Sequence, residues 1–322
     1  KPSGMDDTFV LDIEQDPANS NILYAATWSG GVFRSNDGGM TWSSKYGPAY
    51  AYALEASQGP TSTVLYVGTF YSNYGIYKSF TRGDTWLLAS NEFPSNISFD
   101  LESIYGDSKR LVAATYYGVQ YSYDGGVNWY PAVGLDESTG VVLRLCEFGN
   151  TGRMLATTYG GGLFYSWGGD WWYEANAGLS GSNWGYTYDV ACSPTTAGLA
   201  FAAGNGMWRT TDYGENWQPV NAGLPSGFFR SVDIVTGTGD VFAGSYRRGI
   251  FLAPNGKSVW FPINSGLVAD ATGDYLSMQA MKAVSNSPVR VFVGSNGAGT
   301  WDYTLTSRPV IRSVYLPLTL RS

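Results

Sequence analysis

Histidine is absent from the 322 residues of this chain, and only 14% of its residues are charged. Without an imidazole group the chain cannot form a Ser-His-Asp triad, a Cys-His pair or a histidine-based metal site. The sequence also contains no cysteine cluster and no calcium-loop pattern. We therefore expect no metal and no cofactor, so any catalysis would depend on carboxylate, tyrosine and arginine side chains.

Basic residues are scarce as well, because 19 Lys and Arg stand against 26 Asp and Glu and leave a net charge of −7. A nucleic-acid-binding surface requires clustered positive charge, so we expect no nucleic-acid partner. No apolar run approaches the roughly 18 residues that a membrane-spanning helix needs, and we expect no transmembrane segment. Low charge combined with 42 Gly and 24 Tyr suits a secreted protein, so the sequence predicts an extracellular or cell-surface location.

One pattern recurs six times along the chain. Each copy reads Ser-x-Asp-x-Gly-x-Thr-Trp or a variant of it, and the tryptophans that end the copies are 43 to 45 residues apart. These tryptophans are Trp42, Trp86, Trp129, Trp172, Trp217 and Trp260. The Asp position holds Asp37, Asp124 and Asp212 in three copies, Thr81 in the second and Asn255 in the last, whereas residues 166–172 have lost it. A period in the low forties predicts a β-propeller in which each unit forms one blade.

Each unit has room for four short strands: an apolar opening strand, two strands linked by glycine, and one that starts at the tryptophan. Seven opening strands can be counted, so the sequence predicts an all-β, seven-bladed propeller that forms a single domain with four antiparallel strands per blade. The last strand of the seventh blade is assigned to residues 310–316, and residues 317–322 form a tail. The predicted blades cover residues 8–46, 50–90, 98–132, 140–176, 186–221, 228–264 and 277–316.

The residues that the copies of the pattern share have a structural role. An aspartate in a tight turn accepts hydrogen bonds from nearby backbone N–H groups, and glycine supplies the positive φ that a hairpin requires. The tryptophan then covers apolar area between blades. Asp37, Asp124, Asp212 and Asn255 are therefore interpreted as hairpin residues rather than as catalytic groups.

The pattern resembles the Asp-box, or bacterial neuraminidase repeat. This repeat occurs in sialidases, xyloglucan-degrading glycoside hydrolases, sortilin-type receptors and a photosystem assembly factor, and the resemblance spans residues 8 to about 305. It implies the propeller fold, but it does not assign a function because one fold hosts many activities.

Sialidases of this family use three arginines, a Tyr nucleophile with a Glu partner, and an Asp acid. The opening strand at residues 9–13 has no arginine, and the arginines elsewhere do not match the three positions, so we do not expect sialidase activity. The xyloglucanase relatives place acid and base on two facing propellers, which one propeller cannot reproduce.

The opening strands carry a set of charged residues that we expect to line the central channel as a mostly acidic collar. The set comprises Asp12, Glu14, Glu55, Asp100, Glu102, Arg144, Asp189, Asp233 and Lys282. Asp100, Glu102 and Asp233 are the candidates for a catalytic pair, which in glycoside hydrolysis would place two carboxyl groups about 5–10 Å apart. A hydrated channel with partial ion pairing is the favoured interpretation.

Aromatic residues cluster in the turns between the second and third strands and in the links between blades. The resemblance implies that the ligand site lies on this face, opposite the Asp-box hairpins. The candidates for ligand binding are Trp28, Tyr71, Tyr116, Tyr117, Tyr159, Trp184, Tyr246 and Arg247. Aromatic rings beside glycine suit stacking on sugars and equally suit contacts with protein.

Only two cysteines are present, Cys146 and Cys192, and both lie on opening strands of adjacent units. They occupy positions of opposite parity, so facing sides of neighbouring blades would bring them together. A disulfide requires Cα atoms within about 7 Å, and free buried thiols are the favoured interpretation.

The sequence thus predicts an extracellular Asp-box propeller that acts as a binding module for a polysaccharide or glycan through its aromatic face. A protein partner at the same face is the alternative occupant. Two other functions stay open: a structural subunit that self-assembles into a surface or filamentous structure, and a glycoside hydrolase that uses carboxylates at the channel mouth.

Overall fold

The chain folds as a β-propeller, seen here in a computed structural model. The structure describes residues 4, 9–45, 47–70, 75–90, 93–95, 97–136, 138–180, 184–265, 267, 278–284, 289–295 and 300–305. Each sheet is antiparallel and is ordered as the chain runs, from an inner opening strand to an outer strand. Among the described residues, no helix is long and apolar enough to span a membrane.

The first three blades occupy residues 10–136. Blade 1 contains β1 (Val10–Gln15), β2 (Leu23–Thr27), β3 (Gly31–Ser35) and β4 (Ser43–Ser44). Blade 2 contains β5 (Ala51–Gln58), β6 (Thr63–Thr69), β7 (Ile76–Ser79) and β8 (Leu87–Ser90). Blade 3 contains β9 (Ser98–Ile104), β10 (Asp107–Thr115), β11 (Gly118–Ser122) and β12 (Tyr130–Asp136).

The remaining strands follow in the same order. Blade 4 contains β13 (Val141–Glu147), β14 (Arg153–Tyr159), β15 (Leu163–Trp167) and β16 (Trp172–Glu174). Blade 5 contains β17 (Asp189–Cys192), β18 (Ala200–Gly204), β19 (Gly206–Thr210) and β20 (Gln218–Pro219). Blade 6 contains β21 (Phe229–Ile234), β22 (Val241–Ser245), β23 (Ile250–Ala253) and β24 (Phe261–Pro262). A last sheet contains β25 (Met278–Val284), β26 (Arg290–Ser295) and β27 (Thr300–Thr304).

The prediction of seven four-stranded blades is wrong. The described residues form six blades of four strands and one further sheet of three strands. The last sheet lacks the recurring pattern that lies between the third and fourth strands elsewhere, so its sequence contains no hairpin signal that would support a fourth strand. Residues 310–316 and the tail at 317–322 lie outside the described residues.

The opening strands contain a repeated irregularity. In blade 1 the pairing register jumps from Val10 to Asp12, which leaves Leu11 as an extra, bulged residue. The same jump occurs in β5, β9, β13 and β21, where the bulged residues are Tyr52, Phe99, Leu143 and Arg230. A β-bulge bends the strand and redirects a side chain. Leu11, Phe99 and Leu143 are directly followed by Asp12, Asp100 and Arg144, which line the channel.

Apolar side chains between neighbouring sheets form the core. The tryptophan that ends each recurring pattern contributes to it, and Trp42, Trp129, Trp172, Trp217 and Trp260 are buried. The ring closes where the last sheet packs on blade 1, with the Trp42 and Phe292 rings 6.3 Å apart in an edge-to-face arrangement. Apolar burial of this kind supplies most of the driving force for folding.

Cys146 and Cys192 form a disulfide, so the preference for free thiols is wrong. Their Cα atoms are 5.6 Å apart, and the bond joins β13 of blade 4 to β17 of blade 5. The opposite parity of the two positions places both sulfur atoms in the same gap between blades. Unpaired cysteines are commonly buried in proteins, which made free thiols the favoured interpretation. The two opening strands approach each other closely near the axis, however, and this satisfies the geometry of a disulfide.

Candidate functional site

The recurring hairpins, here called box hairpins, lie between the third and fourth strands of each blade. They comprise residues 35–42, 79–86, 122–129, 166–172, 210–217 and 253–260. In the first, Asp37 accepts hydrogen bonds from the Ser35 hydroxyl at 2.8 Å and from the Thr41 backbone N–H at 2.9 Å. The Trp42 indole donates to the Gly39 carbonyl at 3.2 Å. These contacts hold the hairpin closed without any outside ligand.

The other predicted hairpin residues occupy the same places. Asp124 accepts the Asn128 N–H at 2.9 Å, and Asp212 accepts the Asn216 N–H at 2.9 Å. Burial alone would raise the pKa of each of these aspartates, but the hydrogen bonds outweigh it and hold the pKa below the ordinary value. Asn255 instead adopts a positive φ of 52° and donates its N–H to Asp240. Trp86 is only half-buried, unlike the other five hairpin tryptophans.

The turns between second and third strands lie at the opposite end of each blade from the box hairpins, because the strands are antiparallel. This surface is called the aromatic face, and the surface that carries the hairpins is called the box rim. Tyr116, Tyr117, Tyr159, Trp184 and Tyr246 are all exposed on the aromatic face. Tyr71 lies outside the described residues.

A cavity of about 520 Å³ opens on the aromatic face across blades 1 to 3. Its lining is apolar apart from phenol groups and consists of Trp28, Tyr52, Phe70, Ile97, Phe99, Tyr116 and Tyr117. The rings contact one another: Trp28 lies 5.3 Å from Phe70, and Tyr52 lies 5.5 Å from Phe99. Such ring pairs fix the orientation of each aromatic plane. The cavity therefore presents a preformed set of flat surfaces.

The β-bulges explain two of these lining residues. Tyr52 and Phe99 are the bulged residues of β5 and β9, and the extra residue allows each ring to enter the aromatic face. The sequence analysis did not single out either one. The signal that could have found them is an aromatic residue at the start of the opening strand, which recurs as Tyr188 directly before β17 in blade 5.

A second aromatic group lies on the same face in blades 4 to 6. Tyr159 contacts Tyr186 at 4.9 Å, and the Arg230 guanidinium lies 3.8 Å from the centroid of the Tyr188 ring. Arg230 and Arg247 both approach Tyr246, at 5.6 Å and 5.3 Å from the ring centroid. The predicted ligand-binding residues therefore fall into two groups on one face, and the cavity of blades 1 to 3 gathers three of them.

The charged residues of the opening strands line the central channel. A cavity of about 360 Å³ on the axis is bordered by Asp12, Glu14, Asp100, Glu102, Arg144, Asp189, Asp233 and Lys282. Glu55 is the one member of the predicted collar that is not part of this lining. Among the described residues, no group of three or more acidic or cysteine side chains is arranged to hold a metal ion.

Most of these carboxylates join neighbouring sheets. Asp12 accepts the Ile13 N–H of its own strand at 2.8 Å and the Leu54 N–H of the next blade, also at 2.8 Å. Three more aspartates repeat this arrangement across their own junctions, with Asp100 bonded to Leu145 at 2.7 Å, Asp189 to Val232 at 2.8 Å, and Asp233 to Ala283 at 2.7 Å. Glu55 accepts the Ser103 N–H of blade 3 at 3.3 Å. These five residues are called the junction carboxylates.

Two junctions use other chemistry. The Lys282 ammonium donates to both Glu14 oxygens, at 3.1 Å and 2.9 Å, where the last sheet meets blade 1. Blades 4 and 5 are joined by the disulfide, which spans the same two strand positions as the Glu55 link and the Asp233 link. Every junction between described neighbouring sheets thus has a side-chain link beside the channel.

Burial raises the pKa of the junction carboxylates. The pKa of Asp12, Asp100 and Asp189 is raised to about 7, and that of Glu55 to about 8, with desolvation as the largest cause in each case. Glu102 is raised well above its ordinary pKa by desolvation and then by the charge of Glu55. Burial therefore shifts the titration of these groups toward neutral pH.

Arg144 crosses the channel close to the aromatic face. Its guanidinium donates to the bulged carbonyls of Phe99 at 2.6 Å, Leu143 at 3.0 Å and Leu11 at 3.5 Å, which belong to three different blades. Burial opposes its charge, but Asp100, Asp189 and Asp12 raise its pKa. Arg144 therefore ties the centre of the ring together.

The hydrogen bonds assign a structural task to two catalytic candidates. Both oxygens of Asp100 and both oxygens of Asp233 accept backbone N–H groups. A carboxylate held in this way has little freedom to attack a sugar or to exchange a proton with it. Glu102 lines the channel, and no described residue is hydrogen bonded to its side chain.

Comparison with solved structures identifies the same fold in proteins of different function. The chain is similar to the GH74 xyloglucanase from Xanthomonas campestris, with 17% identity and a TM-score of 0.73 over 94% of this chain and 53% of that one. It is also similar to YCF48 from Cyanidioschyzon merolae, with 14% identity and a TM-score of 0.64 over 92% and 96% of the two chains. A third similar structure, YCF48 bound to D1 peptide, has 15% identity and a TM-score of 0.66 over 92% of each chain.

These likenesses show the β-propeller fold alone, since the identities are below one fifth. The chain spans about half the length of the xyloglucanase. No protein-family model matches the sequence. No curated protein matches it either.

Proposed function

We propose that the protein is an extracellular Asp-box propeller that binds carbohydrate through its aromatic face. The single observation that carries the proposal is the cavity of about 520 Å³ walled by Trp28, Tyr52, Phe70, Phe99, Tyr116 and Tyr117. Sugar rings have one relatively apolar face, which stacks on aromatic planes, and hydroxyls that bond to phenol groups at the rim of such a site. Ligand sites of this volume are commonly concave and aromatic.

Two further observations support the proposal. The box hairpins keep the hydrogen bonds that the Asp-box resemblance implies, and they leave the opposite face for recognition. The disulfide between Cys146 and Cys192 suits an oxidising environment such as the cell exterior. The fold is shared with a xyloglucanase, although the whole activity of that protein is carried by a chain about twice as long.

The test is a glycan array followed by titration with soluble polysaccharides. Tyr117→Ala removes one aromatic wall of the cavity, and we expect it to weaken binding about tenfold or more, the usual effect of losing an aromatic contact that carries binding energy. Tyr173→Ala is the matched control, because Tyr173 is an exposed tyrosine on β16 outside the cavity. Unchanged affinity in the Tyr117 variant, or no glycan bound by the parent protein, would refute the proposal.

Peptide binding at the same face is the second candidate. The observation that favours it is the similarity to YCF48 bound to D1 peptide, which covers 92% of both chains and so spans nearly the whole of each propeller. A peptide library screened in parallel with the glycan array separates the two candidates. Peptide capture that is lost in Tyr117→Ala, with no glycan bound, would support the second candidate in place of the first.

A further inference from the structure

The box rim carries exposed rings at one repeated position. The residue that directly follows the first residue of the box hairpin is Phe80 in blade 2, Tyr123 in blade 3 and Trp167 in blade 4. These three side chains, here called the rim rings, are 52%, 48% and 55% exposed. The same position holds Asn36, Thr211 and Pro254 in the other box hairpins. The rings therefore form an array with one member per blade over three consecutive blades.

A cation lies against each rim ring. Lys78 Nζ is 5.8 Å from the centroid of Phe80, the Arg110 guanidinium is 5.6 Å from that of Tyr123, and the Arg153 guanidinium is 4.0 Å from that of Trp167. Such contacts hold an aromatic plane through cation–π attraction. About half of each side chain remains exposed, as expected when one side of a ring is covered. Rings held in this way lose little conformational freedom when a ligand stacks on them.

The neighbours of the array fix its position further. Arg110 also lies 5.4 Å from the ring of Tyr105, which packs directly on the backbone of Gly152. The Tyr123 hydroxyl donates to Asp170 of blade 4 at 3.3 Å. On the other side of Arg153, the Tyr213 ring of blade 5 lies 4.2 Å away. Tyr123 of blade 3 and Trp167 of blade 4 are thus each held against the next blade, although box hairpin 166–172 has lost its aspartate.

We propose that the rim rings bind an extended, neutral polysaccharide chain that runs along the box rim across blades 2 to 4. One exposed ring per blade over three consecutive blades forms a row that an extended chain contacts in succession. Protein–protein interfaces instead depend on a contiguous cluster of contacts surrounded by polar residues, and the rim rings lie on separate blades. Two of the three cations already have an acidic partner, with Arg153 at 3.7 Å from Glu215 and Arg110 at 3.9 Å from Asp107, which favours a neutral ligand over an anion.

This site is separate from the aromatic face, and its consequence is that one propeller has two carbohydrate-binding surfaces on opposite sides. Because the rim rings act together, affinity is expected to rise with the length of the polymer, whereas a short oligosaccharide reaches only one ring. A cavity such as that on the aromatic face lacks this dependence on length. Length dependence is thus a signature of the rim.

The experiment is affinity gel electrophoresis of the full chain in gels that contain soluble xyloglucan, mixed-linkage β-glucan or galactomannan, with alginate as the anionic comparison. The rim variant is Phe80→Ala/Tyr123→Ala/Trp167→Ala, and the matched control is Met40→Ala, an exposed apolar side chain of the box hairpin in blade 1. Tyr116→Ala/Tyr117→Ala disables the aromatic face. Trp167→Ala alone serves as a second variant with minimal change, for which we expect about tenfold weaker binding.

We expect at least one neutral polysaccharide to retard the parent protein, the Met40 variant and the aromatic-face variant, with the retardation of the rim variant much reduced. Equal retardation of the rim variant and the Met40 variant would overturn the rim site, and so would retardation by alginate alone or by no polysaccharide. Loss in the aromatic-face variant only would overturn the rim site while supporting the proposed function. Loss in the rim variant only is the result that supports the rim site, and the aromatic face is then tested separately by the glycan array and the Tyr117→Ala titration.

Discussion

Reduction of the disulfide between Cys146 and Cys192 should destabilise the ring by a predictable amount. The two residues are 46 apart in the sequence, and the bond closes a loop of that size in the unfolded chain. Chain-entropy theory assigns such a loop a stabilisation of about 4 kcal/mol. Unfolding entropy of about 2.1 cal/mol/K per residue over 322 residues converts this into a melting temperature about 6 °C lower.

The assay is thermal unfolding followed by near-ultraviolet circular dichroism, with and without a phosphine reductant. Cys146→Ser/Cys192→Ser is the matched control, because it should melt near the reduced parent protein and should not respond to the reductant. The structure supplies the reason for a large effect, since the bond is the side-chain link beside the channel between blades 4 and 5. If reduced and oxidised protein melt within about 1 °C of each other, the chain-entropy argument is refuted for this ring.

Three further predictions concern the channel, the box hairpins and the glycines. The pKa of the junction carboxylates is raised by folding, so the stability that they contribute is complete below the pKa of an unfolded carboxyl and is lost as pH rises through about 7 to 8. We therefore expect the melting temperature to fall between about pH 5 and about pH 9. A melting temperature that rises over this range would contradict the assignment. Asp124→Ala removes the acceptor of the Asn128 N–H and should lower the free energy of unfolding, measured by urea titration, by about 1 kcal/mol. An unchanged free energy would show that the hairpin does not depend on this hydrogen bond. Gly178→Ala should lower the melting temperature of the protein far more than Gly237→Ala. The two glycines have nearly the same φ, +87° and +89°, but only a Cβ at Gly178 would meet a carbonyl oxygen, that of Trp217. Equal losses in the two variants would show that φ alone accounts for the effect.

The repeat itself could be predicted because each box hairpin is a local structure. The side-chain hydrogen bonds that define it, such as those from Thr41 to Asp37, join residues four apart, so the pattern is visible in a short stretch of sequence. The channel position of the charged residues followed from the same periodicity, because opening strands lie nearest the axis. A second local motif, Asn-Ala-Gly-Leu, was not recognised in the sequence. It begins at Asn176 and again at Asn221, and the side-chain oxygens of these two residues accept the N–H groups of Leu163 and Met207, respectively.

Features that depend on relations between sheets could not be predicted in this way. The disulfide requires two opening strands to approach each other, and parity alone left thiols as the better choice. The place of Tyr52 and Phe99 in the cavity depends on a bulge, which the sequence of one strand does not reveal. Asp100 appeared to be a catalytic candidate because its partners, the N–H groups of Leu101 and Leu145, lie on the backbone and carry no sequence signal.

The variety of links around the channel has a consequence for how the molecule fails. A rise in pH through about 7 to 8 charges Asp12, Glu55, Asp100 and Asp189 at four junctions and leaves the covalent link intact. A reductant instead cleaves only the link between the fourth and fifth blades. Which junction of the ring is weakest therefore depends on the pH and the redox state of the solution. Rupture would begin at different places in a reducing medium and in an alkaline one, and limited proteolysis would yield different first fragments from the same molecule.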